Sequence, residues 1–128
     1  MKRPPLSILL AIAYLALVVA YGFYSFPNID FLSARGLGRF STFAFALVAL
    51  ISIFTSPNLG RLLAIAFFLF GGLTMLSVCF IASMNGADLG AILLLSCIAA
   101  FHLTLSVHLL FGAAARNYAK EEASDTGT

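Results

Sequence analysis

Hydrophobic residues form four long runs along the chain, and no Asp, Glu, Lys or Arg lies inside any of them. A helix that crosses a bilayer needs about 20 mostly apolar residues. Each run therefore predicts a transmembrane helix, and the second run is the shortest. The strands of a β-barrel would alternate apolar and polar residues in segments of about ten, a pattern that the sequence lacks. We expect helices over about residues 6–26, 40–55, 62–84 and 89–115.

Short turn sequences separate the runs, namely Pro27-Asn28, Pro57-Asn58 and Asn85-Gly86. Such residues interrupt helices, and short connections make consecutive helices antiparallel neighbours. We therefore predict a single all-α membrane domain, with four transmembrane helices in an up-down bundle. The polar stretch 117–128 has few apolar residues to bury, so it is predicted to be a disordered tail.

The composition of the chain favours the same fold class. Of its residues, 62% are hydrophobic and only 9% are charged, whereas soluble domains carry about a quarter charged residues. A small soluble domain buries only part of its surface, so this composition predicts an integral membrane protein. The net charge is only +2, and the basic residues lie at the ends of apolar runs. We therefore expect no nucleic-acid partner.

The distribution of Lys and Arg predicts the orientation, because cytoplasmic loops of membrane proteins carry an excess of basic residues. If the N-terminus is inside, only Arg35 and Arg39 lie on the outer side. Both termini are therefore expected in the cytoplasm, and the location is expected to be the plasma membrane, as in a bacterial inner membrane. The basic residues on the cytoplasmic side would be Lys2, Arg3, Arg61, Arg116 and Lys120.

The first run has an alternative interpretation as a secretory signal. Lys2 and Arg3 precede an apolar stretch, and cleavage after Ala20 would be tolerable. However, the apolar run continues through Tyr21 to Phe26 without a polar break. These aromatic residues are typical of the interfacial end of a membrane helix, so we favour a retained first helix.

The fourth run is the most polar, and it contains Ser96, Cys97, His102, Thr104, Ser106 and His108. On a helix, Thr104 and His108 fall on one stripe, whereas His102 and Ser106 fall on a second stripe about 120° away from His108. Histidine pairs that bind a metal on one helix are normally four residues apart. The two histidines therefore cannot share a metal, and we expect no metal site.

Three interpretations of His102 and His108 remain open at this point. In the first, both are neutral and structural, hydrogen-bonded to a neighbouring helix or a backbone carbonyl, with Thr104 and Ser106 acting similarly. In the second, one histidine is an axial haem ligand in a site completed by another subunit; otherwise no cofactor is expected. In the third, the polar residues line a pathway or a ligand pocket.

Two further pairs of candidate residues are expected towards the outer side of the membrane. Cys79 and Cys97 flank the outer hairpin at similar depth, and we expect them to remain free thiols on adjacent helices. Arg35 and Arg39 are four residues apart in the long outer connection. They could hold an anionic headgroup or a carboxylate of a partner, or they could simply anchor the chain at the interface.

The absence of ionisable residues from the apolar runs and of catalytic motifs from the sequence limits the possible functions. A coupled transporter usually places an ionisable carboxylate or amine at membrane depth, and no nucleotide-binding or metalloprotease motif occurs. We therefore expect no enzymatic activity, and we predict a small accessory or structural subunit that binds membrane lipid, another membrane protein or a second copy of itself. The alternatives are a carrier or channel component for a small molecule and a haem-ligating redox subunit.

Overall fold

The computed structural model describes residues 3–125 and residue 127. Over these residues the protein consists of helices and turns without a β-strand, so the prediction of an all-α fold is confirmed. A short 3₁₀ turn, Phe26–Asn28, follows the first helix. The helices are α1 (Leu6–Ser25), α2 (Ala34–Thr55), α3 (Pro57–Met84), α4 (Leu89–Phe111) and α5 (Ala113–Asp125).

Helices α1 to α4 are each long and apolar enough to cross a membrane. Large apolar side chains on all four helices are exposed, and they include Leu17, Phe54, Phe80 and Phe111. Soluble proteins seldom expose large continuous apolar patches, whereas lipid chains cover such surfaces. The four helices therefore fit a small, membrane-embedded, multi-pass protein.

Helix α2 begins at Ala34, six residues before the predicted start at residue 40. The Ser33 hydroxyl caps this end by accepting a hydrogen bond from the Gly36 N–H at 2.9 Å. Just before the cap, the Asp30 carboxylate accepts a hydrogen bond from the Leu32 N–H at 3.0 Å. A capped helix start satisfies backbone groups outside the apolar run. The uncharged run therefore marks only the apolar part of the helix.

Helix α3 also begins earlier than the predicted residue 62, because Pro57 occupies its first turn. Proline is well suited to the first turn, where its missing N–H would have no helical partner. Only Ser56 separates α2 from α3. Such a tight connection requires close backbone contact: a Cβ atom on Gly60 would overlap the backbone of Ser52 and Ile53.

The C-terminal region differs most from the prediction. Helix α4 ends at Phe111 instead of residue 115, because Gly112 adopts an extended conformation (φ −62°, ψ 118°). The stretch 117–128 was expected to be disordered, but α5 continues to Asp125; residues 126 and 128 lie outside the described residues. Alanine is the best helix former, and the alanines at four-residue spacing in α5 form one buried face. These alanines are Ala115, Ala119 and Ala123.

Each long helix packs against the next one in sequence, with α3 and α4 in the most extensive contact. Helix α5 packs against α3 and α4, whereas α1 touches α4 only sparsely. Small residues let helix backbones approach closely, and the fully buried alanines include Ala11, Ala46, Ala64 and Ala99. The largest fully buried side chains are Phe68, Leu15 and Leu109. The sparse α1–α4 contact leaves a groove on the surface.

Candidate functional site

The two polar stripes of α4 lie in different environments. His102 and Ser106 are buried, at 3% and 4% exposure, whereas Thr104 and His108 are exposed. The structure therefore separates the two histidines. His102 lies beside a half-open cavity, and His108 lies in the α1–α4 groove.

Ser106 connects α4 to α3. Its hydroxyl donates a hydrogen bond to the carbonyl oxygen of Ile65 over 3.2 Å, and both groups are buried. Interhelical hydrogen bonds of this kind stabilise membrane helix pairs by about 0.6 kcal/mol on average. The Ser106 hydroxyl therefore links α4 to α3.

The His102 ring is held in a defined tautomer. Its Nδ1 atom lies 2.8 Å from the carbonyl oxygen of Ile98, one turn earlier in α4. A carbonyl can only accept, so Nδ1 carries a proton, and in the neutral ring Nε2 is an acceptor. The ring packs edge-to-face on Tyr14, with 4.9 Å between ring centroids, and contacts Phe68 at 5.6 Å.

Gly71 of α3 makes room for the His102 ring. A Cβ atom on Gly71 would lie 2.9 Å from Cδ2 and 3.3 Å from Nε2 of the imidazole. Beside this contact lies a cavity of about 320 Å³, which we call the His102 cavity. All four long helices contribute to its walls, with Tyr14 from α1, Thr42 from α2 and Thr74 from α3.

The second opening is the α1–α4 groove, with a volume of about 600 Å³. Its α4 wall contains Phe101, Thr104 and His108, which belong to one of the two stripes predicted from the sequence. The α1 wall contains Leu6 and Leu10. The groove therefore combines apolar walls with a small polar region. Within that region, the His108 Nδ1 atom lies 2.9 Å from the Thr104 carbonyl oxygen.

Arg61 has a structural environment that the sequence did not reveal. Its Nη1 donates a hydrogen bond to the carbonyl oxygen of Leu109 at 3.1 Å, which joins the start of α3 to the end of α4. Its Nε atom is buried without a hydrogen-bond partner in the part of the chain that the structure describes. Tyr118 of α5 and Ile8 of α1 lie around the same small cavity. A long-range contact of this kind leaves no local sequence signal.

Tyr118 is the one group outside the long helices whose ionisation is clearly perturbed among the described residues. Burial raises the pKa of its phenol above the ordinary value of 10.0, and the negative charge of Glu122 raises the pKa further. Both effects disfavour the phenolate. The neutral phenol is therefore the form that fits between α5 and the rest of the molecule.

Arg35 and Arg39 lie in the first two turns of α2, not in a loop, and both are exposed. Arg39 borders a pocket of about 250 Å³ between α1 and α2, together with Tyr21 and Ser25. Neither arginine is among the residues that line the cavity or the groove beside the histidines. Val18 and Thr42 line both the Arg39 pocket and the cavity beside His102, so these two openings adjoin each other.

Neither cysteine forms a disulfide, and Cys79 is half-buried whereas Cys97 is exposed. The Cys79 thiol lies 3.3 Å from the Ser96 hydroxyl and 3.7 Å from the carbonyl oxygen of Ile92. Both partners are on α4. The prediction that the third and fourth helices are neighbours is therefore confirmed.

Within residues 3–125, no group of three or more His, Cys, Asp or Glu side chains is placed to hold a metal ion. The site chemistry consists of hydroxyl groups, imidazoles and aromatic rings. No protein family, curated protein or solved structure with which the chain was compared shows significant similarity to it. Any functional assignment therefore depends on the residues themselves.

Proposed function

We propose that the protein is a non-catalytic accessory protein of the plasma membrane, as in a bacterial inner membrane, and that it binds an anionic phospholipid. One acyl chain would lie in the α1–α4 groove, and the phosphate would lie at the cationic end of that groove. The observation that carries this proposal is the combination of apolar walls with the polar residues Thr104 and His108 in one lateral opening, next in sequence to Arg3 and Arg116.

The proposed topology is an up-down bundle with both termini in the cytoplasm. Ile8 of α1, Pro57 of α3 and Ala119 of α5 surround one small cavity together with Leu109 of α4. Their proximity supports the start of α1, the start of α3 and the end of α4 lying at the same end of the bundle. This end is proposed to face the cytoplasm, because it is the more basic.

The described basic residues support this orientation, with four at the proposed inner end and two at the other. Lys2, which also entered the charge comparison, lies outside the described residues. Arg35 and Arg39 would then be anchored in the outer headgroup layer. The four residues of the inner end are Arg3, Arg61, Arg116 and Lys120.

The groove has the volume and surface expected for a lipid chain. Its volume of about 600 Å³ lies within the range of about 300–1,000 Å³ that is usual for ligand pockets. Leu6 and Leu10 form one side and Phe101 and Leu105 form the other. The sparse packing of α1 on α4 gives a chain lateral access from the bilayer.

The polar end of the groove fits a phosphate group. His108 lines the groove, as do Pro5 and Ala115. Arg3 lies two residues before Pro5, and Arg116 directly follows Ala115. Basic pockets between membrane helices on the cytoplasmic side bind anionic headgroups, at about 1 kcal/mol per basic residue. The charge of this end therefore favours an anionic lipid over a zwitterionic one.

Native mass spectrometry tests the proposal with purified protein exposed to equal amounts of phosphatidylglycerol and phosphatidylcholine. We expect several-fold preferential retention of phosphatidylglycerol. Arg116→Gln should reduce the preference, and Thr104→Phe should reduce retention of both lipids by filling the groove. Lys120→Gln is the matched control, because it removes the same charge from α5 one turn away from the groove.

Equal retention of the two lipids would contradict the proposal. So would an equal effect of Arg116→Gln and Lys120→Gln, because the preference would then reflect overall charge. If the mass spectrum showed a dimer without bound lipid, a second copy of the chain would be the better occupant of the groove.

A further inference from the structure

We propose that the His102 cavity is a binding site for a neutral single-ring phenol with two hydroxyl groups. The site is independent of the α1–α4 groove and of the lipid proposed to lie there. Three features define the ligand class: an imidazole acceptor that the cavity reaches, two further acceptors on the cavity wall, and aromatic walls without a charge.

The imidazole acceptor is the Nε2 atom of His102. The hydrogen bond between Nδ1 and the Ile98 carbonyl, 2.8 Å long, fixes the proton on Nδ1 in the neutral ring. The residue is only 3% exposed and lines the cavity, and no described side chain donates to Nε2. Among the described residues, the side-chain polar atom that is fully buried without a partner is Nε of Arg61, so Nε2 of His102 is accessible from the cavity. A ligand that donates a hydrogen bond to Nε2 therefore gains affinity.

Thr42 and Thr74 supply two more acceptors. The Thr42 hydroxyl donates its hydrogen to the Gly38 carbonyl at 2.9 Å, and the Thr74 hydroxyl donates to the Phe70 carbonyl at 2.8 Å. With their hydrogens engaged, these oxygens accept from a ligand. The cavity thus presents at least three acceptors, which matches a molecule with more than one O–H donor.

The remaining walls select a neutral aromatic molecule. In the described part of the chain no charged residue lines the cavity, and burying an unpaired ion there would be costly. Tyr14, Phe45, Phe67 and Phe70 offer ring faces and edges, against which an aromatic ligand packs well. The volume of about 320 Å³ is at the lower limit for ligand pockets, which suits a single ring.

The probe is resorcinol, a stable dihydroxybenzene, and the comparison ligand is 1,3-dimethoxybenzene, which has the same ring but no O–H donor. The protein has two histidines, so ¹⁵N-histidine labelling gives two ring systems to follow by NMR in detergent. We expect saturable binding of resorcinol, with a shift of the His102 Nε2 resonance. Dimethoxybenzene should bind about 25- to 100-fold more weakly, the equivalent of two lost hydrogen bonds.

Variants distinguish binding of the ligand at this cavity from partitioning of the ligand into the micelle. His102→Phe keeps an aromatic ring but removes the acceptor, and it should weaken resorcinol binding about five- to tenfold. His108→Phe makes the same change on the same helix outside the cavity and should leave the affinity unchanged. If His102→Phe does not fold, Thr74→Val gives the same test at another wall, with an expected loss of about fivefold.

Three results would overturn the proposal. These are binding of resorcinol no better than to empty micelles, equal binding of the two ligands, and a His102 Nε2 resonance that does not move at saturation. Equal losses in His102→Phe and His108→Phe would also overturn it, since the effect would not belong to the cavity.

Discussion

Gly60 gives the sharpest test of the packing of α2 on α3. The residue is buried in the first turns of α3, where a Cβ atom would overlap the backbone of Ser52 and Ile53. Backbone atoms cannot rotate away as a flexible side chain can. Gly60→Ala must therefore separate the two helices next to their one-residue connection, Ser56.

A control variant in α2 isolates the steric effect. At Gly38 an added Cβ atom would meet nothing within 4 Å, so Gly38→Ala gains only helix propensity, about 1 kcal/mol. Gly60→Ala gains the same propensity but suffers overpacking, which costs about 3 kcal/mol at the upper end of the usual range. We expect a net destabilisation of about 2 kcal/mol for Gly60→Ala, and a difference of about 3 kcal/mol between the two variants.

The assay is unfolding by increasing SDS in mixed micelles, followed by tyrosine fluorescence, because the chain has four tyrosines and no tryptophan. A difference of 3 kcal/mol corresponds to more than a hundredfold in the unfolding equilibrium. If Gly60→Ala were as stable as Gly38→Ala, the close approach of α2 and α3 described above would be wrong.

Three further predictions concern single side chains. His102→Leu should lower yield and thermal stability in detergent more than His108→Leu, because only the first ring is buried; identical melting of the two variants would refute this. Cys79 and Cys97 should remain thiols, so the non-reduced intact mass should not change on adding reductant, and a deficit of two hydrogens would contradict this. The raised pKa of Tyr118 means that its contribution to stability is full below its ordinary pKa of about 10 and is lost as pH rises through the folded-state value. The ultraviolet titrations of the wild type and of Tyr118→Phe should therefore differ by one phenol that ionises above the ordinary pKa.

The apolar runs predicted the four long helices because membrane-spanning segments need only length and hydrophobicity. The hydrophobicity of the runs did not predict where α2 and α3 begin. Ser33 caps α2 and Pro57 begins α3, both outside the apolar runs. Arg35, Arg39 and Arg61 lie within the first turns of these helices. Helix caps depend on local hydrogen bonds, which hydropathy does not detect.

The polar composition of the tail predicts disorder, whereas its alanine spacing favours the helix α5 that the structure contains. Ala115, Ala119 and Ala123 lie one helical turn apart and bury a face of α5, although each contributes little hydrophobicity. The angular separation of His102 from His108 was predictable from helix geometry. Which neighbours face each histidine was not, because the rotation of α4 depends on its packing against α1 and α3.

The proposed topology has four membrane crossings, with the basic end of the bundle inside the cell. Topology reporters measure this directly, with fusions after residues 33, 61, 86 and 128. We expect cytoplasmic signals after residues 61 and 128, and external signals after residues 33 and 86. An external signal from the C-terminal fusion would contradict four crossings with both termini inside, and it would remove the cationic end of the groove from the cytoplasmic leaflet.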